Sequence, residues 1–537
     1  MNVSNCLFDR SSDIKIDDTI ILSCEIVASQ VFQDHTEYVI RVRRGYDETI
    51  AAGNGQSWTV RHRYNDFLAL NNELSVSGLV LPLPPKKIFG NTQKEFVDKR
   101  KQELQTYLKV LLSHPLLCIS LPVKRFLDPR SYGVDFSGRA HQSLSVCLRS
   151  LDGWKLADKW ENVGWRLRKH YYTVKPITPS RSLPSGQGSK LNKELLCWSS
   201  YGPDFALDPT DVLQLFDFLC KLDHPFLLSS KFAWCNEEGC FTVRPLFHDG
   251  SLRDQMTKAK PSTHFLKKYC SAKTVYPLVA EDIRHVGRHI LEALRFLHKL
   301  NIPYGQLHCG NLMISEGGCL VLDVESGFLG HPSFYRSYFV QLKAVNSLEA
   351  ADTYCFGHCI YEMALGEALS RPTLPPEGSF PSDCPRMFRS LLTSLLSIEA
   401  TSSKLPTIEE LLEDDLFRSL PCPEGPKQCR MTGRIKELLA TAKAKIEKRL
   451  QKDQQEFRRA VKTKKATAFL NSEEQKKERR RIMKQWSVTQ QGSSQRLGVT
   501  RAVSSNGISP AHDEEDGQSE QPTMSTPVSA DSTLDNE

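Results

Sequence analysis

The sequence predicts an α+β, multidomain protein: a small antiparallel sheet with helices, a larger two-lobed unit, a basic helical segment and a disordered C-terminal tail. Three observations carry this. The 537 residues exceed what a single core of roughly 100–200 residues organises. Short runs of β-branched and aromatic residues near the start give way to runs with helical spacing. Composition then changes twice, first to a Lys/Arg-rich stretch and then to Ser, Gln, Thr, Gly and acidic residues with few large apolar side chains.

With 40% apolar and 25% charged residues the chain can bury real cores, which excludes a wholly disordered or collagen-like protein. No run approaches the ~20 apolar residues that a spanning helix needs, and MNVSNCLFDRSSD lacks a signal-peptide pattern. The expectation is a cytoplasmic protein that reaches membranes from that side. The 16 cysteines, Cys6, Cys24, Cys118, Cys147, Cys197 and Cys220 among them, form no CxxC pair. They are expected as reduced thiols, with no metal site.

Residues 1–17 read as an N-terminal extension and 18–129 as the first domain. IILSCEIV, EYVIRVRRG and SWTVRHRY form a three-strand meander, broken by the Gly-containing connector GYDETIAAGNGQ. Helical spacing begins at NDFLALNNEL, stops at LVLPLPPKKIFGN, and resumes through KEFVDKRKQELQTYLKVLL with Phe96, Leu104, Leu108 and Leu111 on one face. Arg61 and Arg63 alternate with apolar residues at the end of the third strand, Lys86 and Lys87 follow the prolines, and Arg100 sits on the next helix. Cations so placed can converge on an anion, with Tyr64 covering the apolar face of a ring.

RHRYNDF, LPLPPKKIFGN, EFVDKRKQELQTYL and the closing FLDP resemble, in order, the signatures of the PX domain, a phosphoinositide-binding module that docks proteins on endosomal membranes. The resemblance implies that Arg63 holds the 3-phosphate, Tyr64 stacks under the inositol, Lys86 or Lys87 meets the 1-phosphate and Arg100 bonds the distal ring hydroxyls. The doubled lysine leaves that register open by one residue, since Arg100 and Gly90 favour different lysines. Phosphatidylinositol 3-phosphate is the expected lipid. Leu79, Val80, Leu81 and Ile88 are candidates either for insertion at the membrane interface or for core packing.

Residues 150–420 read as the second unit. AEDIRHVGRHILEALRFLHKL carries an apolar stripe at Ile283, Val286, Ile290, Leu291, Leu294 and Leu297. The hairpin-like NLMISEGGCLVLDVESGF follows, and DTYCFGHCIYEMALGEAL reads as a buried helix. These blocks, with LDHPFL before them and LPTIEELLEDDLF after, resemble the protein-kinase fold. The chemistry departs from that family. In YGQLHCGN, Gln306 stands where the catalytic-base aspartate belongs, and a neutral amide cannot accept the proton. Gly305 replaces the arginine.

NVGWRLRKHYYTVK, read as the first strand region, holds only Gly164 where several glycines are expected, and the GQGS near residue 187 lies in a Ser/Pro-rich connector. KELLCWSSYG puts Trp198 or Ser199 at the strand-lysine position, with Lys175 and Lys193 as substitutes, and the helix PTDVLQLFDFL has no glutamate. Asn311 and Asp323 match the metal-holding pair, although Val324 and Glu325 follow where Phe-Gly is usual; their structural roles would be bracing the loop and bonding backbone amides. The reading is a pseudokinase with no cofactor, weak ATP/Mg binding not being expected. Phe334, Tyr335, Tyr338 and Phe339 are too closely spaced for one face, with ordinary core packing favoured over a partner surface.

Residues 434 to 484 hold 18 Lys or Arg against 7 Asp or Glu, a local +11 in a chain of net +7. The segment 430–486 reads as a solvated helix or as a contact for anionic lipid, and 487–537 as a disordered tail. PX proteins that carry a degenerate kinase domain are implicated in trafficking of membrane proteins, so the resemblance implies a membrane-targeted adaptor. Its implied partners are ion-pump subunits or receptors, and its implied place is peripheral on endosomal and plasma membranes. The alternative is an active atypical serine/threonine kinase recruited by the PX domain. Actin is not expected, because QRLGVTRAVSS lacks the WH2 pattern of some relatives, and nucleic acid is not expected either.

Overall fold

The computed structural model describes residues 17–33, 35–45, 57–87, 93–150, 153–177, 193–270, 275–375, 380–423 and 430–496. The expectations for residues 1–16, Ile88, Gly90, the connector after Gly45, the GQGS stretch and the tail from 497 lie outside the described residues. By its internal contacts the chain divides into a unit 1–467 and a second unit 468–537.

Strands β1 (Leu22–Val31), β2 (Thr36–Arg44) and β3 (Ser57–Arg63) form the expected antiparallel meander in the order β1-β2-β3. On β3 the period of two turns Arg61 and Arg63 to solvent and Trp58, Val60 and His62 inward. His62 stacks on Phe126 at 3.8 Å. Helix α1 (Tyr64–Leu74) starts directly from β3 and buries Phe67, Leu70 and Leu74. Helix α2 (Lys94–Ser113) buries Val97, Leu104, Leu108 and Leu111, and α3 (Leu121–Leu127) closes the domain.

Helix α4 (Phe136–Ser150), a stretch unassigned from sequence, covers one face of a second sheet through Ala140, Leu144 and Cys147, which pack on Tyr172, Val174 and Phe241. That sheet comprises β4 (Trp154–Trp160), β5 (Lys169–Pro176), β6 (Glu194–Ser200), β7 (Phe232–Cys235) and β8 (Gly239–Pro245), antiparallel throughout in the order β4-β5-β6-β8-β7. The first strand is therefore WKLADKW and not the stretch around Gly164, which is the loop into β5. Alternating lysines and an aspartate hide β4 from a hydrophobicity pattern. Cys235 and Cys240 pair across the β7–β8 hairpin as a disulfide with Cα atoms 4.1 Å apart. This corrects the expectation of free thiols for those two, because hairpin register rather than sequence spacing sets them opposite.

Helix α5 (Pro209–Leu219) packs on β7. The helical lobe follows with α6 (Phe265–Tyr269), α7 (Ala280–Lys299), the hairpin β9 (Leu312–Ser315) and β10 (Gly318–Val321), and α8 (Leu348–Leu365). All six residues of the expected α7 stripe are buried, and α8 is buried almost all round. Tyr335 and Phe339 are core residues, with Phe334 and Tyr338 packed against that core. The aromatic cluster thus belongs to lobe packing.

Helix α9 (Gly433–Arg496) continues ten residues beyond Trp486, with no proline to stop it. One face of its first half is buried while the charged face stays exposed: Ile435, Leu438, Leu439, Ala442 and Leu450 join the core of the helical lobe. Their spacing of three and four is an amphipathic face hidden within a highly charged composition. Gln454 Nε2 donates toward the carbonyls of Phe339, Leu342 and Val345 at 2.7–3.0 Å. In the second unit, Phe469 and Leu470 are exposed.

The two folded domains share a joint. Phe265 and Leu266 of α6 belong to the same apolar cluster as Leu104, Leu108 and Leu117 of the first domain. Beside it, Arg449 of α9 meets Asp17 and Asp204 at 2.6 Å each, and Arg336 lies 2.7 Å from Asp453 and 3.5 Å from Asp204. Lys124 is wholly buried and donates to the carbonyls of Asp18 and Ile20.

Candidate lipid site and degenerate nucleotide cleft

Of the sequence-predicted residues of the first domain, Tyr64, Lys87 and Arg100 gather around the proline loop and Phe96, while Arg61 bonds Gln30 at 2.8 Å. Arg63 ends β3 with half of its side chain exposed, and its Nε is 3.7 Å from Glu37 across the strand pair. Its backbone N–H donates to Asp66 at 2.8 Å, which fixes the strand-to-helix turn. Tyr64, the next residue, donates its hydroxyl to the Pro84 carbonyl at 2.6 Å, tying the proline loop to the helix start. Arg100 reaches the same loop from α2 through the Pro85 carbonyl at 3.0 Å. Its guanidinium lies 4.5 Å from the Tyr64 ring and 4.2 Å from Phe96, a cation held between two aromatic faces. Burial raises the Tyr64 hydroxyl pKa, with Arg100 opposing.

Lys86 and Lys87 are exposed at the end of the loop, and Lys87 Nζ sits 4.5 Å over Phe96. Phe96 therefore serves the cations rather than the core. Of the apolar loop residues, Val80 is fully exposed while Leu79 and Leu81 pack against the domain core.

The second domain brings its degenerate motif residues together around buried charge. Gln306 accepts from Arg166 through Oε1 and donates from Nε2 to the His331 carbonyl at 2.9 Å. Asn311 donates from Nδ2 to the Gln306 carbonyl at 2.9 Å, so it braces the loop. Asp323, at φ 61°, does not bond backbone amides as a structural role would have it; it meets Lys169 Nζ at 2.6 Å and Arg244 at 2.8 Å. Burial would push the Asp323 carboxyl up, but these two cations hold it well below the usual carboxylate range. The same pairing raises Lys169 and Arg244 against their burial.

Sequence reasoning missed both cations. Lys169 lies directly across the ladder from Ser199, one of the two residues at the expected lysine position, so the charge sits one strand over. Arg244 comes from β8, where only the sheet order places it next to β6. The substitutes considered from sequence are elsewhere: Lys193 pairs with Asp158 at 2.6 Å on the surface, and Lys175 lies opposite Lys155 on the β4 ladder. The loop bearing Gly164 folds inward, placing Trp165 5.1 Å from Phe334 and sending Arg166 to the Pro332 carbonyl at 2.7 Å. Both oxygens of Asp323 are thus taken by protein cations, so this carboxylate as it stands does not fit a magnesium ion. Among the described residues there is also no cluster of three His, Cys, Asp or Glu side chains suited to a metal.

The PX domain family profile matches residues 51–130. Over 83% of its length the chain is 39% identical to the PX domain-containing protein kinase-like protein of Mus musculus, covering 73% of that protein. The chain belongs to this family. The Slowpoke-binding protein of Drosophila melanogaster is 31% identical over 41% of this chain and 44% of its own length. The probable inactive serine/threonine-protein kinase slob1 of Dictyostelium discoideum is 27% identical over 41% of this chain and 40% of its own. Family membership fixes the order of a PX domain and a kinase-like domain. Among the described residues no helix is long and apolar enough to cross a membrane.

Proposed function

We propose that this protein is a membrane-targeted adaptor whose PX domain binds phosphatidylinositol 3-phosphate and whose pseudokinase domain binds protein partners in endosomal trafficking of membrane proteins. The observation that carries the reading is the gathering of Tyr64 and Arg100 on the Pro84–Lys87 loop, with Arg63 next to Tyr64 at the end of β3. Arg63 offers an exposed fork for a ring phosphate, and Lys86 and Lys87 supply point charges where the lipid's diester phosphate would lie. Val80, fully exposed beside that loop, suits shallow insertion at the interface.

Scaffolding rather than phosphoryl transfer is supported by what occupies the second cleft. Gln306 cannot serve as a base, and Asp323 is engaged by two protein cations where magnesium would bind. Receptors and ion-pump subunits are the proposed cargo class, drawn from family resemblance. The test is sedimentation with vesicles containing phosphatidylinositol 3-phosphate, comparing the native chain with Arg63→Ala. Loss of lipid-dependent sedimentation is expected, together with dispersal from endosomes in cells; retained binding in both settings refutes the site.

A further inference from the structure

We infer that the stretch of α9 from Phe469 to Arg481, in the second unit, lies on the surface of an anionic lipid bilayer. This adds a second membrane contact to the membrane-targeting reading and does not rest on the PX site. An α-helix turns about 100° per residue, so side chains can be placed around its axis from their numbers. Lys476, Lys477, Arg480 and Arg481 all fall within about 70° of one direction. Phe469, Leu470 and Glu473 share that face, whereas Ala468, Ser472 and Gln475 lie on the other side and Glu474 at the border. Glu473 pairs with Lys476 at 2.9 Å, so one acid opposes four cations and the face is net positive.

The apolar pair decides what kind of anion this face meets. Phe469 and Leu470 are 67% and 65% exposed, and in sequence they are preceded by Lys462, Lys464 and Lys465. A single exposed apolar residue is ordinary. An aromatic and an aliphatic side chain side by side among cations suit a helix lying in the bilayer interface, with the apolar groups at the acyl boundary and the cations at the level of the lipid phosphates. A second copy of the chain is not the occupant, because a coiled-coil seam needs apolar residues three and four positions on. From Phe469 those positions lead to Ser472, Glu473 and Lys476, and from Leu470 to Glu473, Glu474 and Lys477. Single-stranded nucleic acid is bound on several aromatic platforms in a basic groove, and this convex face offers one ring.

The experiment is sedimentation of the full chain, native and Arg63→Ala, with vesicles free of phosphoinositide. One set is phosphatidylcholine alone and the other contains about 30% phosphatidylserine, both at about 0.1 M salt, where charges within ~10 Å of the surface still act. Both chains are expected to partition equally onto the phosphatidylserine vesicles, and more than about tenfold better than onto phosphatidylcholine, since each of the four cations contributes up to about fivefold. Replacing Lys476, Lys477, Arg480 and Arg481 together by Gln is expected to remove most of that excess. Phe469→Ala with Leu470→Ala leaves the charge unchanged and is expected to lower partition about tenfold. Gln and Ala are both good helix formers, so the helix is kept in each variant. Partition of Arg63→Ala no better than onto phosphatidylcholine, partition undiminished by either α9 variant, or tighter binding to a single-stranded RNA than to the vesicles overturns the proposal. The PX reading is tested separately, on phosphatidylinositol 3-phosphate in a phosphatidylcholine background, so either reading can fail alone.

Discussion

Replacing Asp323 by Ala is the obvious way to disable a kinase, and the structure gives that variant a different consequence. The carboxylate is almost fully buried, as are Lys169 and Arg244, whose side chains are 2% and 7% exposed. Removing it leaves two like charges facing each other out of water. Breaking one buried pair by deleting a partner costs about 3–5 kcal/mol, and two cations share this acid, so Asp323→Ala should lie at or above the middle of that range. At a urea slope of about 3 kcal/mol per molar, the midpoint falls by about 1.3 M or more. The assay is urea unfolding of the full chain at neutral pH, followed by far-ultraviolet circular dichroism.

A companion carrying Asp323→Ala, Lys169→Met and Arg244→Met together removes all three charges and should recover most of the loss, because apolar replacement of a buried ion cluster is close to neutral. The acid limb has a definite sign. A carboxyl held below its unfolded pKa contributes stability that is fully present above about pH 4 and is lost as pH falls toward the folded value. The native chain should therefore lose stability more steeply below pH 4 than the triple variant. A midpoint for Asp323→Ala within about 0.2 M of the native chain would refute the reasoning.

Arg449→Ala should leave Asp17 and Asp204 buried with only the more distant Arg336, costing about 2–4 kcal/mol; protease sensitivity in the native state should rise between the two domains, and an unchanged digestion pattern counts against the joint. Gln454→Leu removes the buried amide donor shared by the carbonyls of Phe339, Leu342 and Val345 and should cost about 1–3 kcal/mol, read as a lower urea midpoint. His298 is raised by its bond to Asp352 at 2.9 Å, against burial. Its contribution is fully present below about pH 6.5 and fades as pH rises through the raised folded value, so the midpoint difference between native and His298→Gln chains should be larger at pH 6 than at pH 9, and the reverse order would sink the assignment.

What the chain determined by itself is local. Period-two alternation places Arg61 and Arg63 outward, the proline run places Lys86 and Lys87 at a loop end, and the α7 stripe buries all six of its residues, because each property depends on neighbours within a few positions. The identity of Gln306 at the base position is likewise a fact of the linear motif. Tertiary structure alone decided what fills the nucleotide cleft: Lys169 and Arg244 lie on β5 and β8, and strand pairing through Ser199 and Leu195 brings them to Asp323 from 154 and 79 residues away. It also decided the fate of the basic helix. Charge density marks a helix as solvated only while its apolar face has nothing to cover, and Leu438, Leu439, Ala442 and Leu450 find the helical lobe. No pattern within the segment shows that partner, since a buried face and a solvated one differ only in what lies against them.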